Sequence, residues 1–162
     1  MKIFNFKIIV VFFVLFNSVI FFGSPIKSSA HNIKVPFKVF TPQSQKINKL
    51  TSDVTVEKLP NSSIVSSVII SYKDSNNNLV MRITEAQAPP NFAKIMPEAM
   101  KKGPIFKWDK NIGYLVDWEK LGLSKFTDHK YTFWWVQEGT YLYITSSTLI
   151  PKEMFEIAKS MK

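Results

Sequence analysis

The sequence has no cysteine, so disulfide scaffolds, thiolate zinc sites and cysteine nucleophiles are excluded together. Arginine is almost missing as well: Arg82 is the single Arg among 21 basic residues, the rest being Lys. Base and phosphate recognition favours the bidentate Arg fork over the Lys ammonium, so no nucleic-acid partner is expected. Five glycines stand apart at 23, 103, 113, 122 and 139, leaving no Gly-rich phosphate loop. Histidine is limited to His31 and His129. One His beside one carboxylate, as in Asp128-His129, falls short of the three or four converging ligands that a metal needs, and neither metal nor cofactor is expected. The pair reads instead as part of a polar surface loop. No G-x-S-x-G elbow occurs, and a catalytic triad would have to recruit His129.

What is present fits one ordinary domain: 162 residues, 46% hydrophobic and 20% charged, with a net charge of +9. The aromatics are unevenly placed, since Phe4, Phe6, Phe12, Phe13, Phe16, Phe21 and Phe22 make up seven of the 14 Phe. Lys2 and Lys7 precede an apolar run from Ile8 to Phe22, broken only by Asn17 and Ser18, and Gly23-Ser24-Pro25 ends it. With small residues at Ser28 and Ala30, this is the layout of a secretory signal over residues 1–30, cleaved after Ala30. An uncleaved membrane anchor is the competing reading, but a span needs about 20 apolar residues and this run is shorter. Membrane contact is then transient, and residues 31–162 form a single secreted or cell-surface domain. Without Lys2, Lys7 and Lys27 the net charge falls from +9 to +6. The lysines are scattered, as suits a solvated exterior or one resting against anionic wall polymers or headgroups.

Alternation organises most of the remaining chain. Val35, Phe37 and Val39 against Pro36, Lys38 and Phe40 read as an edge strand ending at Thr41-Pro42. Val54 and Val56 mark a weaker strand. The stretch 64–84 reads as a hairpin about Asp74-Ser75-Asn76-Asn77-Asn78, with Val68, Ile70 and Tyr72 on one face of its first arm. From Asn91, the spacing of Phe92, Ile95, Met96, Ala99 and Met100 is helical, with Pro97 limiting it to a short helix and Gly103-Pro104 as its stop. Residues 105–118 form a further hairpin in which Gly113 is read as a bulge. The clearest hairpin joins Tyr131–Gln137 to Tyr141–Ser146 through Glu138-Gly139-Thr140. Tyr131, Phe133 and Trp135 face one way, Thr132, Trp134 and Val136 the other, so its first strand is covered on both sides. Pro151 then opens a helix whose Met154, Ile157, Ala158 and Met161 form an apolar stripe. The expected fold is α+β: an antiparallel β-sheet with an inserted short helix and a C-terminal amphipathic helix packed on the sheet.

The terminal block from Tyr131 to Met161 resembles the closing hairpin and helix of the domain of unknown function 4367 family. The resemblance is carried by Trp135, Gly139, Tyr141 or Tyr143, and Ile157-Ala158-Lys159-Ser160. Phe37 to Pro42 and Ile70-Ser71-Tyr72 sit where that family has its strand-Pro opening and its Tyr-ending strand. The resemblance implies an extracytoplasmic domain of Gram-positive bacteria, non-enzymatic, with a curved sheet and a crossing helix like that of lipoprotein carriers. It supplies no set of functional residues. Unlike regulator members of that family, this chain is expected to carry no cytoplasmic domain before its hydrophobic segment.

Two constellations bear on function. Asp117 and Glu119 flank Trp118, and on a strand both carboxylates would share a face, as a glycoside hydrolase of the cell wall requires; equally, they are the solvent face of a strand whose Trp118 is core. The stronger feature is aromatic. Trp134 and Trp135, with Tyr141, Tyr143, Phe133 and Phe106, form either an apolar ligand groove beneath Met96 and Met100 or an ordinary core. The leading expectation is a secreted, non-enzymatic domain that binds an apolar small molecule or a cell-envelope component through Trp134, Trp135, Tyr141, Tyr143, Met96 and Met100. The alternatives are a structural or interaction protein of the envelope or spore surface, relying on Lys, and a small wall hydrolase.

Overall fold

In a computed structural model, residues 35–90 and 103–162 are described. The expected signal segment 1–30 and the expected helix from Asn91, with Met96 and Met100, lie outside the described residues. Seven strands form one open sheet: β1 (Thr51–Lys58), β2 (Val65–Lys73), β3 (Leu79–Gln87), β4 (Ile105–Trp108), β5 (Asn111–Asp117), β6 (Tyr131–Gln137) and β7 (Thr140–Ser146). Their order is β1-β2-β3-β7-β6-β5-β4, antiparallel throughout, and the helix α1 (Pro151–Lys159) follows β7. Among the described residues no helix is long and apolar enough to cross a membrane.

The register explains why these strands choose these neighbours. Val54, Ile70, Ile83, Ile144, Phe133 and Leu115 stand opposite one another in a single row across β1, β2, β3, β7, β6 and β5. Slipping any strand by one residue would move its member of this row to the other face. Ile83, Ile144 and Phe133 are completely buried. Burying an aliphatic side chain of that size stabilises by about 1.5–3 kcal/mol. α1 covers the row with Met154, Ile157 and Ala158. Phe155 adds ring contacts to Phe106 and Trp108, with centroids 5.0 and 5.6 Å away. Pro151 begins α1 as expected, and the Glu153 carboxylate accepts the Ile150 N–H at 3.1 Å to close its first turn.

Turn chemistry also follows the sequence. Asp74 Oδ1 accepts the N–H groups of Asn76 and Asn78, both at 2.9 Å, and Asn77 takes the left-handed conformation with φ 64°. Glu138 and Gly139 both have positive φ, 48° and 79°, as a two-residue hairpin turn matching the strand twist requires.

Two expectations are corrected. The opening segment 35–40 is not a strand of the sheet. It runs as a strap across the helix-bearing face, and its alternation holds at Val35 and Phe37, half-buried against the core, but breaks at its end, where Phe40 is completely buried while Val39 is 40% exposed. The break follows from where its backbone bonds go. Phe40 N–H donates to Glu85 at 2.8 Å, Lys38 C=O accepts the Thr140 hydroxyl at 2.8 Å, and Thr41 exchanges both backbone bonds with Lys162. Gly113 is not a bulge either, because it pairs in regular register with Phe106 and Trp135. It is glycine because the rings of Phe133 and Trp108 lie where a Cβ would go.

Candidate functional site

The sheet face opposite α1 carries a second aromatic layer. Its central row reads Ile105, Tyr114, Trp134, Tyr143, Thr84, Ile69, Thr55 across all seven strands. The Tyr114 ring stacks on Trp134 at 4.6 Å and 13°, Trp134 meets Tyr141 at 6.2 Å, and Tyr141 meets Tyr143 at 5.5 Å. Trp134 and Val116 are buried in this layer, with Tyr114, Trp118, Tyr141 and Tyr143 half-buried against them. Burial, reinforced by Tyr143 beside it, pushes the Tyr141 phenol far above its ordinary range. The Tyr143 phenol is also raised, first by burial and then by Glu57, against a hydrogen bond with Thr84 and the charge of Arg82. Both rings are therefore neutral hydrogen-bonding groups. Toward β1 the same face turns polar: Ser67 donates to the Glu57 carboxylate, and Arg82 stands opposite Ser71 and Thr145.

At the border between these halves lies a chain of polar contacts. Trp118 Nε1 donates to the Thr132 hydroxyl at 2.8 Å, Thr132 meets His129 Nε2 at 2.9 Å, and His129 Nδ1 meets Asp128 at 2.7 Å. Arg82 closes the chain on the other Asp128 oxygen at 2.8 Å. The bond to His129, then Arg82, holds the Asp128 carboxyl below its ordinary value. A cleft of about 140 Å³ opens here, lined by Leu79, Arg82, Asp128, His129 and Ser147. Both imidazole nitrogens are engaged within the chain, and Thr132 is buried with its oxygen already accepting from Trp118. A general base needs a nitrogen within reach of a substrate proton, and a nucleophile needs an accessible oxygen. Among the described residues no group of three His, Asp or Glu could hold a metal ion.

The predicted site residues divide between the two faces. Trp134, Tyr141 and Tyr143 come together, and Tyr114 joins them. Trp135 points to the opposite face, completely buried between Trp108 (6.0 Å) and Phe133 (5.8 Å), with Nε1 donating to Gln137 at 3.2 Å. Phe133 and Phe106 lie with it beneath α1. Met96 and Met100 are outside the described residues. Asp117 and Glu119 do not share a strand face, because β5 ends at Asp117 and Glu119 lies in the turn that follows. Asp117 accepts the Lys120 N–H at 3.1 Å, while Glu119 pairs with Lys130 at 2.6 Å.

Two residues escaped the sequence reading although a signal existed. Tyr114 occupies the slot between Gly113 and Leu115 that alternation assigns to the face of Trp134. Glu85 follows Met81 and Ile83 at spacing two and so falls on the helix-bearing face as a carboxylate in an apolar slot. Comparison with family models, with curated proteins and with solved structures gives no match to this chain.

Proposed function

We propose that the protein is an exported, non-enzymatic domain that holds an amphipathic small molecule of the cell envelope on the sheet face opposite α1. The observation that carries this reading is the Tyr114, Trp134, Tyr143 row. Among the described residues one helix covers one face of the sheet, and the opposite face carries an aromatic layer of its own. The half-buried rings of Tyr114, Tyr141 and Tyr143 suit the apolar body of the ligand, and the neighbouring Thr84, Arg82 and Ser67 suit its polar end. The resemblance to the domain of unknown function 4367 family and to the curved sheets of lipoprotein carriers belongs to the same reading. It is also supported by the pairing of Asp117 and Glu119 with lysines and by the engagement of both His129 nitrogens.

Side-chain NMR of the purified protein, titrated with a medium-chain fatty acid and separately with solubilised wall fragments, tests it. The Trp134 indole and the Tyr141 and Tyr143 rings should shift together and saturate with the fatty acid, while the Trp135 indole stays in place. Saturation only with wall fragments would replace the small molecule by a polymeric envelope partner. Shifts of Trp135 alone, or none at all, would refute the proposal.

A further inference from the structure

Glu85 stands in the middle of an apolar row: Phe106, Gly113, Trp135, Leu142, Glu85, Val68 and Val56 oppose one another across the helix-bearing face. It is completely buried. One carboxyl oxygen accepts the Phe40 N–H of the strap at 2.8 Å, and the other has no hydrogen-bond partner among the described residues. Burying an ionised carboxylate with a single donor is costly, so this group belongs in the structure as the neutral acid.

We propose that the Phe40–Glu85 contact is a proton-operated latch, which holds the strap 38–43 on the sheet while Glu85 is protonated and loosens it when Glu85 ionises. The strap is the element that can respond. Besides the buried Phe40 ring and Pro42, it is held by the Thr140 hydroxyl on Lys38 C=O, the Lys38–Glu138 ion pair, and bonds from Thr41 and Gln43 to Lys162 and Ser160, with no strand ladder of its own. Lifting it would give Glu85 access to water without separating any pair of strands.

Among the described residues, the groups around Glu85 do not supply a compensating cation. Lys38 of the strap lies over the Phe40 ring, but its ammonium is paired at 2.9 Å with Glu138 of the β6–β7 turn. β2 contributes Tyr72, whose phenol is raised by burial and then by the Glu85 charge; it is neutral at these pH values and offers no positive charge. β7 places Leu142 opposite, and the buried side of α1 is Met154, Ile157 and Ala158. Burial accordingly pushes the Glu85 carboxyl from 4.5 up to about 7, the Phe40 N–H offsetting only part of it. A raised folded-state value means that docking is strongest below about 4.5, weakens as the pH climbs toward 7 and levels off above.

Amide hydrogen exchange on the full chain, corrected for intrinsic rates, reads the latch directly. Between pH 5 and 8 the opening constant of the Phe40, Thr41 and Gln43 amides should rise roughly a hundredfold, and at each pH it should stay well above that of Phe133 and Ile144, which open only with the whole fold. Glu85→Gln keeps an acceptor for Phe40 but cannot ionise, so its strap should stay protected at every pH. Should that variant fail to fold, carboxyl-carbon NMR of the unmodified protein decides the matter: the Glu85 titration midpoint and the strap-opening midpoint must coincide. The latch is overturned by a pH-independent strap, by an equal pH response in Glu85→Gln, by differing midpoints, or by strap and core amides that open with the same constant at each pH.

Discussion

The two faces of the sheet carry comparable aromatic loads and use them differently. Under α1, Phe133 and Trp135 are completely buried and meet Trp108, Phe106 and Phe155 edge-on or tilted. On the other face, Tyr114 lies flat on Trp134, while Tyr141 meets Trp134 and Tyr143 at a tilt, and Tyr141 and Tyr143 keep part of their surface exposed. Edge and tilted contacts in several directions lock a ring in place. A flat stack with phenol hydroxyls at its margin leaves an apolar plane with polar handles. Position on a strand, one residue apart, decides between the two, as Trp134 and Trp135 show.

The comparison breaks most visibly at Phe133. Phe133→Ala should cost about 3–5 kcal/mol in urea unfolding, because the pinned neighbours cannot collapse into the space; a cost as small as that of Tyr114→Ala would erase the distinction between the faces. Next is Glu85→Gln. Glu85 has its folded-state value raised from 4.5 to about 7, so the stability it contributes is fully present below about 4.5 and lost as the pH rises through 7. The variant should therefore be more stable than the parent by up to about 3 kcal/mol at pH 8, with the gap closing in acid, as paired denaturant titrations at the two pH values would reveal. Gly113→Ala sharpens the contrast from the backbone side. Its methyl would enter the Phe133 and Trp108 rings, and overpacking of this kind costs about 1–3 kcal/mol by thermal or urea melts. Smallest is Tyr114→Ala, which removes the stack on Trp134 and about 1 kcal/mol of pair energy beyond the lost area. Its larger consequence should be weakened fatty-acid binding in the NMR titration, with the fold retained.

The antiparallel sheet and its closing helix were legible because alternation and turn residues agree. Asp74 to Asn78 and Glu138-Gly139 announce turns whose backbone conformations need those residue types, and Met154, Ile157 and Ala158 announce the buried side of α1. Strand order was not legible, since the pairing of β3 with β7 depends on the long-range match of Ile83 to Ile144, which no local pattern contains. The opening segment misled for a related reason. Val35 and Phe37 alternate as a strand should and pack against the core, but at the end of the segment Phe40 enters it in place of Val39, held by the hydrogen bond that its N–H donates to Glu85, 45 positions away. Of the site, alternation separates Trp134 from Trp135, yet grouping them by chemistry joined residues that the sheet keeps on opposite sides.

The β3–β7 pairing has a kinetic consequence. β1-β2-β3 and β4-β5-β6-β7 are each consecutive meanders that can form from neighbouring hairpins, whereas the seam between them joins residues more than 50 positions apart. Loop-closure entropy must be met before that seam yields any contact, so docking the two meanders is the slow event of folding. Ile83→Val and Ile144→Val should slow refolding, while a change of equal size at Val56, out on β1, should chiefly hasten unfolding; chevron plots of the three variants separate the cases. The carboxyl of Glu85 sits in that seam opposite Leu142, where a charge would delay the docking of the two halves and its proton would speed it.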